Sequence, residues 1–187
     1  MAERGLVSAP VSAPAGNQPR CLVIGIGTRG HGDDGAGALV LDLLGQDTDR
    51  AGQLWRRDIT LLTHPGPPLD LLEHLSGVNT LYLVDACRGG GDAGNRYRFD
   101  LASGPLPARR FGLSSHGLDL AATLELARAL GSLPPNTVLY AIEAASFAPG
   151  PPCPAVTAGA AAVARALRLE LGVEPDRAAP VSAYQGR

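Results

Sequence analysis

Cys21-Leu22-Val23-Ile24-Gly25-Ile26-Gly27 runs directly into Thr28-Arg29-Gly30-His31-Gly32-Asp33-Asp34-Gly35-Ala36-Gly37. The first six residues form a continuous apolar run of strand length, the pattern of a strand buried on both faces. A glycine-rich loop follows. Asp34 then opens a segment to about Leu44 in which Val40, Leu43 and Leu44 fall on one side at helical spacing. Strand, glycine loop and helix in that order begin a parallel α/β unit. The alternation continues outward. Asp58–Thr63 and Thr80–Val84 read as strands, the second ending at Asp85. Pro67-Pro68 opens a helix through Leu69, Leu72 and Leu75, since proline is tolerated in a first turn. Arg96–Leu101 alternates like an edge strand, and Ser114-Ser115 can cap a helix from about His116 to Leu130. Thr137–Ile142 is the last strand, and Ala155–Leu171 the last helix, with Val156, Val163, Leu167 and Leu171 on one side. The expected fold is a three-layer α/β domain: a mainly parallel twisted sheet of about five strands with helices on both faces. It should occupy residues 20–172, between flexible tails at 1–19 and 173–187.

The bulk numbers agree with one packed domain: 187 residues, 45% hydrophobic and 18% charged. A formal net charge of -2 and 4% aromatic residues give no support to nucleic-acid binding or to an anionic membrane surface. No apolar run approaches the roughly 20 residues needed to span a bilayer, and Met1–Pro19 has no continuous apolar segment of the signal-peptide kind. Cys21, Cys87 and Cys153 show no CxxC spacing, so neither a disulfide framework nor a zinc knuckle is indicated. A cytoplasmic protein is expected, and a monomer, because no coiled coil or long exposed apolar segment calls for self-association.

Gly25-Ile26-Gly27-Thr28-Arg29-Gly30 matches the GxGxxG of dinucleotide sites. That reading needs an acidic residue ending the second strand to hold the ribose. Here the second strand ends Leu62-Thr63-His64, and Asp33 and Asp34 put negative charge where a pyrophosphate would lie. The glycines are better explained by sharp turning and close backbone approach. No nucleotide cofactor is expected.

Ligands of open α/β sheets bind outside the carboxyl ends of the strands. This selects the Gly27–Asp34 loop, His64, Asp85 and Glu143. Asp34 after the first strand, Asp85 at the end of the third and His116 at the start of a helix all fall on that edge. Two carboxylates and an imidazole suit a divalent first-row metal such as nickel, zinc or iron, and three protein ligands leave a position open. Each also has a plainer role: Asp34 as a favourable charge at a helix start, Asp85 as an acceptor for loop amides, His116 as a cap. His31 is an extra ligand or an exposed loop residue. His74 belongs to a helix surface. Glu143 either binds a positive group or ends its strand. Cys87 is a candidate nucleophile set against a small buried core residue. Arg109-Arg110 is a solvated pair or a contact for an acidic partner segment. Neither a nucleophile elbow nor an HExxH helix is present.

Taken in order, these segments resemble the hydrogenase maturation endopeptidases, whose pattern is a strand, Gly-x-Gly-Asn, a short gap and Asp-Asp/Glu-Gly-x-Gly. Leu22–Gly27 with Gly32-Asp33-Asp34-Gly35-Ala36-Gly37 is similar to that opening. Leu83-Val84-Asp85-Ala86 is similar to the second acidic motif, and Ser115-His116-Gly117-Leu118 to the His motif. Ile142-Glu143-Ala144 followed by Pro-Gly and Pro154-Ala155-Val156 is similar to the closing strand, loop and helix. The likeness covers roughly Cys21 to Leu171. It implies that Asp34, Asp85 and His116 contact a metal. It also implies one endoproteolytic cut that removes a C-terminal extension from a nickel–iron hydrogenase large-subunit precursor. The nickel would be carried by the substrate rather than held as a resident cofactor. Thr28 replaces the family's usual Asn, and His64-Pro65 replaces a Gly-Thr-like loop. The ion would polarise the scissile carbonyl or position a water, or one carboxylate, Asp34 first, would act as general base. The alternative is a non-enzymatic nickel-sensing assembly factor that uses the same three ligands.

Overall fold

The apolar run folds as β1 (Cys21–Ile26), an interior strand of a mostly parallel sheet. The structure, a computed structural model, describes residues 20–45, 59–106, 112–113 and 117–172. A 3-10 turn over Gly32–Gly35 leads from β1 into α1 (Ala36–Gly45). β2 (Ile59–His64), a second 3-10 segment (Pro68–His74) and β3 (Thr80–Arg88) follow. The edge strand β4 (Arg96–Asp100), the short β5 (Gly112–Leu113), α2 (Gly117–Ala129), β6 (Asn136–Glu143) and α3 (Pro154–Leu171) complete the chain order. The sheet runs β2-β1-β3-β6-β4. Pairing is parallel except where β4 meets β6 and where β5 meets the end of β3.

Two apolar layers cover the sheet. Ala36, Val40 and Leu44 of α1 and Val156, Ala160, Val163 and Leu167 of α3 pack on Val23, Val84 and Ile142. On the other face, Leu120, Leu124 and Ala127 of α2 and Leu71 of the second 3-10 segment pack on Leu22, Ile24, Leu81 and Leu83. The three-layer arrangement expected from the alternating pattern is therefore observed, and each helix buries one stripe as its spacing requires. β4 alternates exposed Arg96, Arg98 and Asp100 with half-buried Tyr97 and Phe99, as an edge strand with one covered face should.

Three boundaries differ from expectation. Asp34 lies in a 3-10 turn rather than in the first turn of an α-helix, because its N–H bonds back three residues to the carbonyl of His31. The α-helix proper begins at Ala36. Asp85 does not end β3. β1 stops pairing at Val84, but β6 continues alongside to Cys87 and β5 pairs with Cys87 and Arg88. The segment after Pro67 is a 3-10 helix that buries Pro68 and Leu71 and leaves Leu69 exposed. Asp58, His116, Arg109, Arg110 and the two expected tails lie outside the described residues.

Candidate functional site

β1 and β3 are neighbours whose following helices lie on opposite faces, α1 on one and α2 on the other. Their carboxyl ends therefore flank a topological switch point, where the two loops diverge and leave a crevice. Asp34 hangs on the β1 side of it, and Asp85 projects from β3 on the other.

The glycines explain how Asp34 reaches this place. A Cβ on Gly25 would collide with the carbonyl of Gly37, and one on Gly37 would meet the Val84 carbonyl oxygen at 2.6 Å. Glycine at both positions lets α1 press onto β1. Gly27 has φ of 112° and lies against the backbone carbonyl of Asp34, so only glycine permits this tight reversal. The Thr28 N–H then donates to Asp34 Oδ2 at 2.8 Å. Thr28, where the family pattern has Asn, thus uses its backbone here. Asp34 is 7% exposed.

Asp85 is 0% exposed. Its Oδ1 accepts the N–H of Ala86 at 2.8 Å, while Oδ2 is the one buried side-chain oxygen or nitrogen among the described residues without a hydrogen-bond partner. Burial pushes the Asp85 carboxyl up to about 7, the Ala86 N–H opposes this, and the charge of nearby Asp34 adds to it. Strand alternation puts Asp85 on the same face as Leu81, Leu83 and Cys87, the face covered by α2. The second expected carboxylate thus faces the helix that His116 immediately precedes. Among the described residues no cluster of three His, Cys, Asp or Glu side chains is arranged to hold a metal ion. The structure brings Asp34 and Asp85 together and leaves His116 outside its description.

The remaining candidates have structural duties. His64 is buried, its ring Nε2 lies 2.9 Å from the Pro67 carbonyl, and its own carbonyl accepts the N–H of Gly27 at 3.1 Å. It closes the loop after β2. His74 is exposed and meets the His64 ring edge-on at 6.3 Å. His31 is exposed and bridges Gly150 through its backbone. Glu143, 2% exposed, ends β6 and accepts the N–H groups of Gly89 at 2.6 Å and Gly90 at 3.0 Å. Cys87 is fully buried with its Sγ 3.6 Å from Glu143 Oε2. Burial and then the Glu143 charge raise its thiol far above the ordinary range, which removes the thiolate a nucleophile needs.

One residue that sequence reasoning used only as a charge proves to be a buried hub. Asp33, 1% exposed, accepts from Ala145 and Ser146 N–H at Oδ2 (2.8 and 2.9 Å) and from Cys153 N–H at Oδ1 (2.6 Å). Burial would raise its pKa, but the Cys153, Ser146 and Ala145 amides outweigh it and hold the carboxyl below its usual value. Beyond β3, the Arg88 guanidinium stacks 4.4 Å from the centre of the Phe147 ring.

The same fold occurs in solved hydrogenase maturation proteases. The hydrogenase maturating endopeptidase HybD from E. coli superposes with a TM-score of 0.66 at 20% identity, covering 82% of this chain and 92% of that one. The [NiFe] hydrogenase maturation protease HycI from Thermococcus kodakarensis KOD1 gives 0.63 at 21%, covering 83% and 94%. An endopeptidase from Escherichia coli gives 0.64 at 23%, covering 83% and 95%. No protein-family model and no curated sequence matches the chain.

Proposed function

We propose that this protein is an endopeptidase that removes a C-terminal extension from the nickel-loaded large-subunit precursor of a nickel–iron hydrogenase. The observation that carries the reading is the state of Asp85. A fully buried carboxylate with one oxygen unpartnered among the described residues is costly unless a proton, a cation or another group completes it. It stands beside a second carboxylate at the crevice where α/β proteins bind ligands. Two neighbouring carboxylates, with His116 as the imidazole the sequence resemblance adds, suit a divalent first-row cation. Solved proteins of the same fold are hydrogenase maturation proteases, which favours cleavage over assembly-factor binding alone.

The nickel belongs to the substrate. Asp34, Asp85 and His116 are the residues to engage it, and the ion supplies polarisation of the scissile carbonyl or orientation of a water. Leu113, three residues before His116, pairs with Cys87, two residues after Asp85. The chain flanking His116 is thus tied to the carboxyl end of β3. With its carboxyl poised at about 7, Asp85 is suited to carry a proton near neutral pH. A cation that docks there displaces its proton. In this reading the protein works as a monomer in the cytoplasm, without nucleotide. The three free cysteines suit a reducing compartment. Asp34→Asn, Asp85→Asn and His116→Ala should each fold yet leave a co-expressed precursor full length by mass spectrometry. Normal trimming by all three would end the proposal.

A further inference from the structure

The 3-10 turn that carries Asp34 is weak by itself. It has four residues, glycine at both ends and no side-chain cap, and its local ties are single backbone bonds, from Asp34 N–H to the His31 carbonyl and from Ala36 N–H to the Asp33 carbonyl. It is held from outside. Besides the three amides that converge on the Asp33 carboxylate, Asp33 N–H donates to the Ser146 carbonyl at 2.9 Å, Gly32 N–H to that of Gly150 at 2.9 Å, and Gly150 N–H to that of Gly30 at 2.8 Å. The loop between β6 and α3 is therefore laced to the turn, and the Asp33 carboxylate joins the two by collecting three of the loop's backbone N–H groups. On its other flank, Asp34 is tied by the Thr28 N–H.

We propose that Asp33 is the positioning residue of the site: by clamping the β6–α3 loop it sets the turn so that the Asp34 carboxylate faces Asp85. This rests on the reading of Asp34 as a site residue and deepens it. Asp33 itself touches no substrate. Both its oxygens are occupied by backbone N–H groups on the far side of the turn.

The substitutions Asp33→Asn and Asp33→Ala separate positioning from bulk stability. Asn keeps one acceptor oxygen but turns an NH2 toward one of the amides, whereas Ala removes every acceptor. Residue-resolved hydrogen exchange on the full chain reads Asp34 through Thr28, whose N–H is protected by that carboxylate, against Val23 within β1 as the reference for global opening. Thr28 exchange should accelerate by about tenfold in Asp33→Asn and more in Asp33→Ala, with Val23 changing by no more than about twofold. Precursor cleavage should show kcat lowered about 100-fold by Ala and about tenfold by Asn, with KM nearly unchanged, as expected for a misplaced reacting group. Unaltered Thr28 protection in folded Asp33→Asn, or acceleration of Thr28 only in step with Val23, would overturn the proposal. If Asp33→Ala does not fold, the Asn variant decides. If the wild-type protein cleaves no precursor, the functional reading fails, while the Thr28 measurement still decides whether Asp33 positions Asp34.

Discussion

Among the described residues four buried carboxylates line the carboxyl edge of this sheet, and they fall into two pairs. Asp33 and Glu143 are saturated: the first takes three backbone N–H groups and the second two, each closing a loop. Among the described residues Asp34 and Asp85 take one each, and Asp85 keeps an oxygen with no partner. Burial alone does not separate structural from functional acids here. The difference lies in what the fold supplies to them. A saturated carboxylate is part of the architecture, and an undersupplied one is waiting for a cation, a proton or a substrate group.

The largest effect that divides the pairs should come from Asp34→Asn. Losing one of the charged groups proposed to engage the substrate's metal is expected to slow precursor cleavage by about 1,000-fold, measured by single-turnover mass spectrometry, with the melting temperature little changed. An Asp34→Asn protein that unfolds would put Asp34 with the architectural pair.

Asp85→Asn tests the other undersupplied acid through pH. In the unfolded chain this carboxyl ionises near pH 4, and in the folded protein at about 7. The folded state therefore holds the proton more tightly, and stability falls as pH rises from about 4 to about 7, then levels off. The wild-type loss over that window is at most about 4 kcal/mol. Asn cannot ionise, so chemical denaturation at pH 4 and pH 8 should show the variant gaining on the wild type by up to that amount at the higher pH. Equal differences at both pH values would contradict the assignment.

Glu143→Ala should behave oppositely, with about 3 kcal/mol of stability lost because the N–H groups of Gly89 and Gly90 lose their charged acceptor, and with cleavage preserved in the protein that remains folded. Cys87→Ala should cost about 1 kcal/mol and leave kcat within about twofold; loss of cleavage there would restore the thiol as a nucleophile. The exposed Arg29–Asp42 ion pair should matter least: Arg29→Ala is expected to shift stability by under about 1 kcal/mol.

How much of this was legible before the structure depends on range. β1, α1 and α3 could be read because their apolar pattern repeats within a few residues, and the edge character of β4 because exposed and half-buried residues alternate. Asp34 and Asp85 could be placed because the carboxyl edge of a parallel sheet follows from strand order alone. The 3-10 turn was missed, since its geometry is imposed by a loop more than 100 residues later in the chain. For the same reason Asp33 read as just another acidic residue: its three donors are backbone amides, which leave no mark in side-chain identity. The continuation of β3 past Asp85 was hidden because it rests on long-range pairing with the end of β6 and with β5, the latter only two residues long and too short to carry a periodic signal.

The most direct test incubates the purified protein with a hydrogenase large-subunit precursor, loaded with nickel or free of it, and records intact masses of both polypeptides. A single shortened large subunit and its complementary C-terminal peptide, produced only from the loaded precursor, is the result expected. A loaded precursor that binds the protein yet keeps its full mass would contradict cleavage and leave a metal-sensing assembly factor in its place.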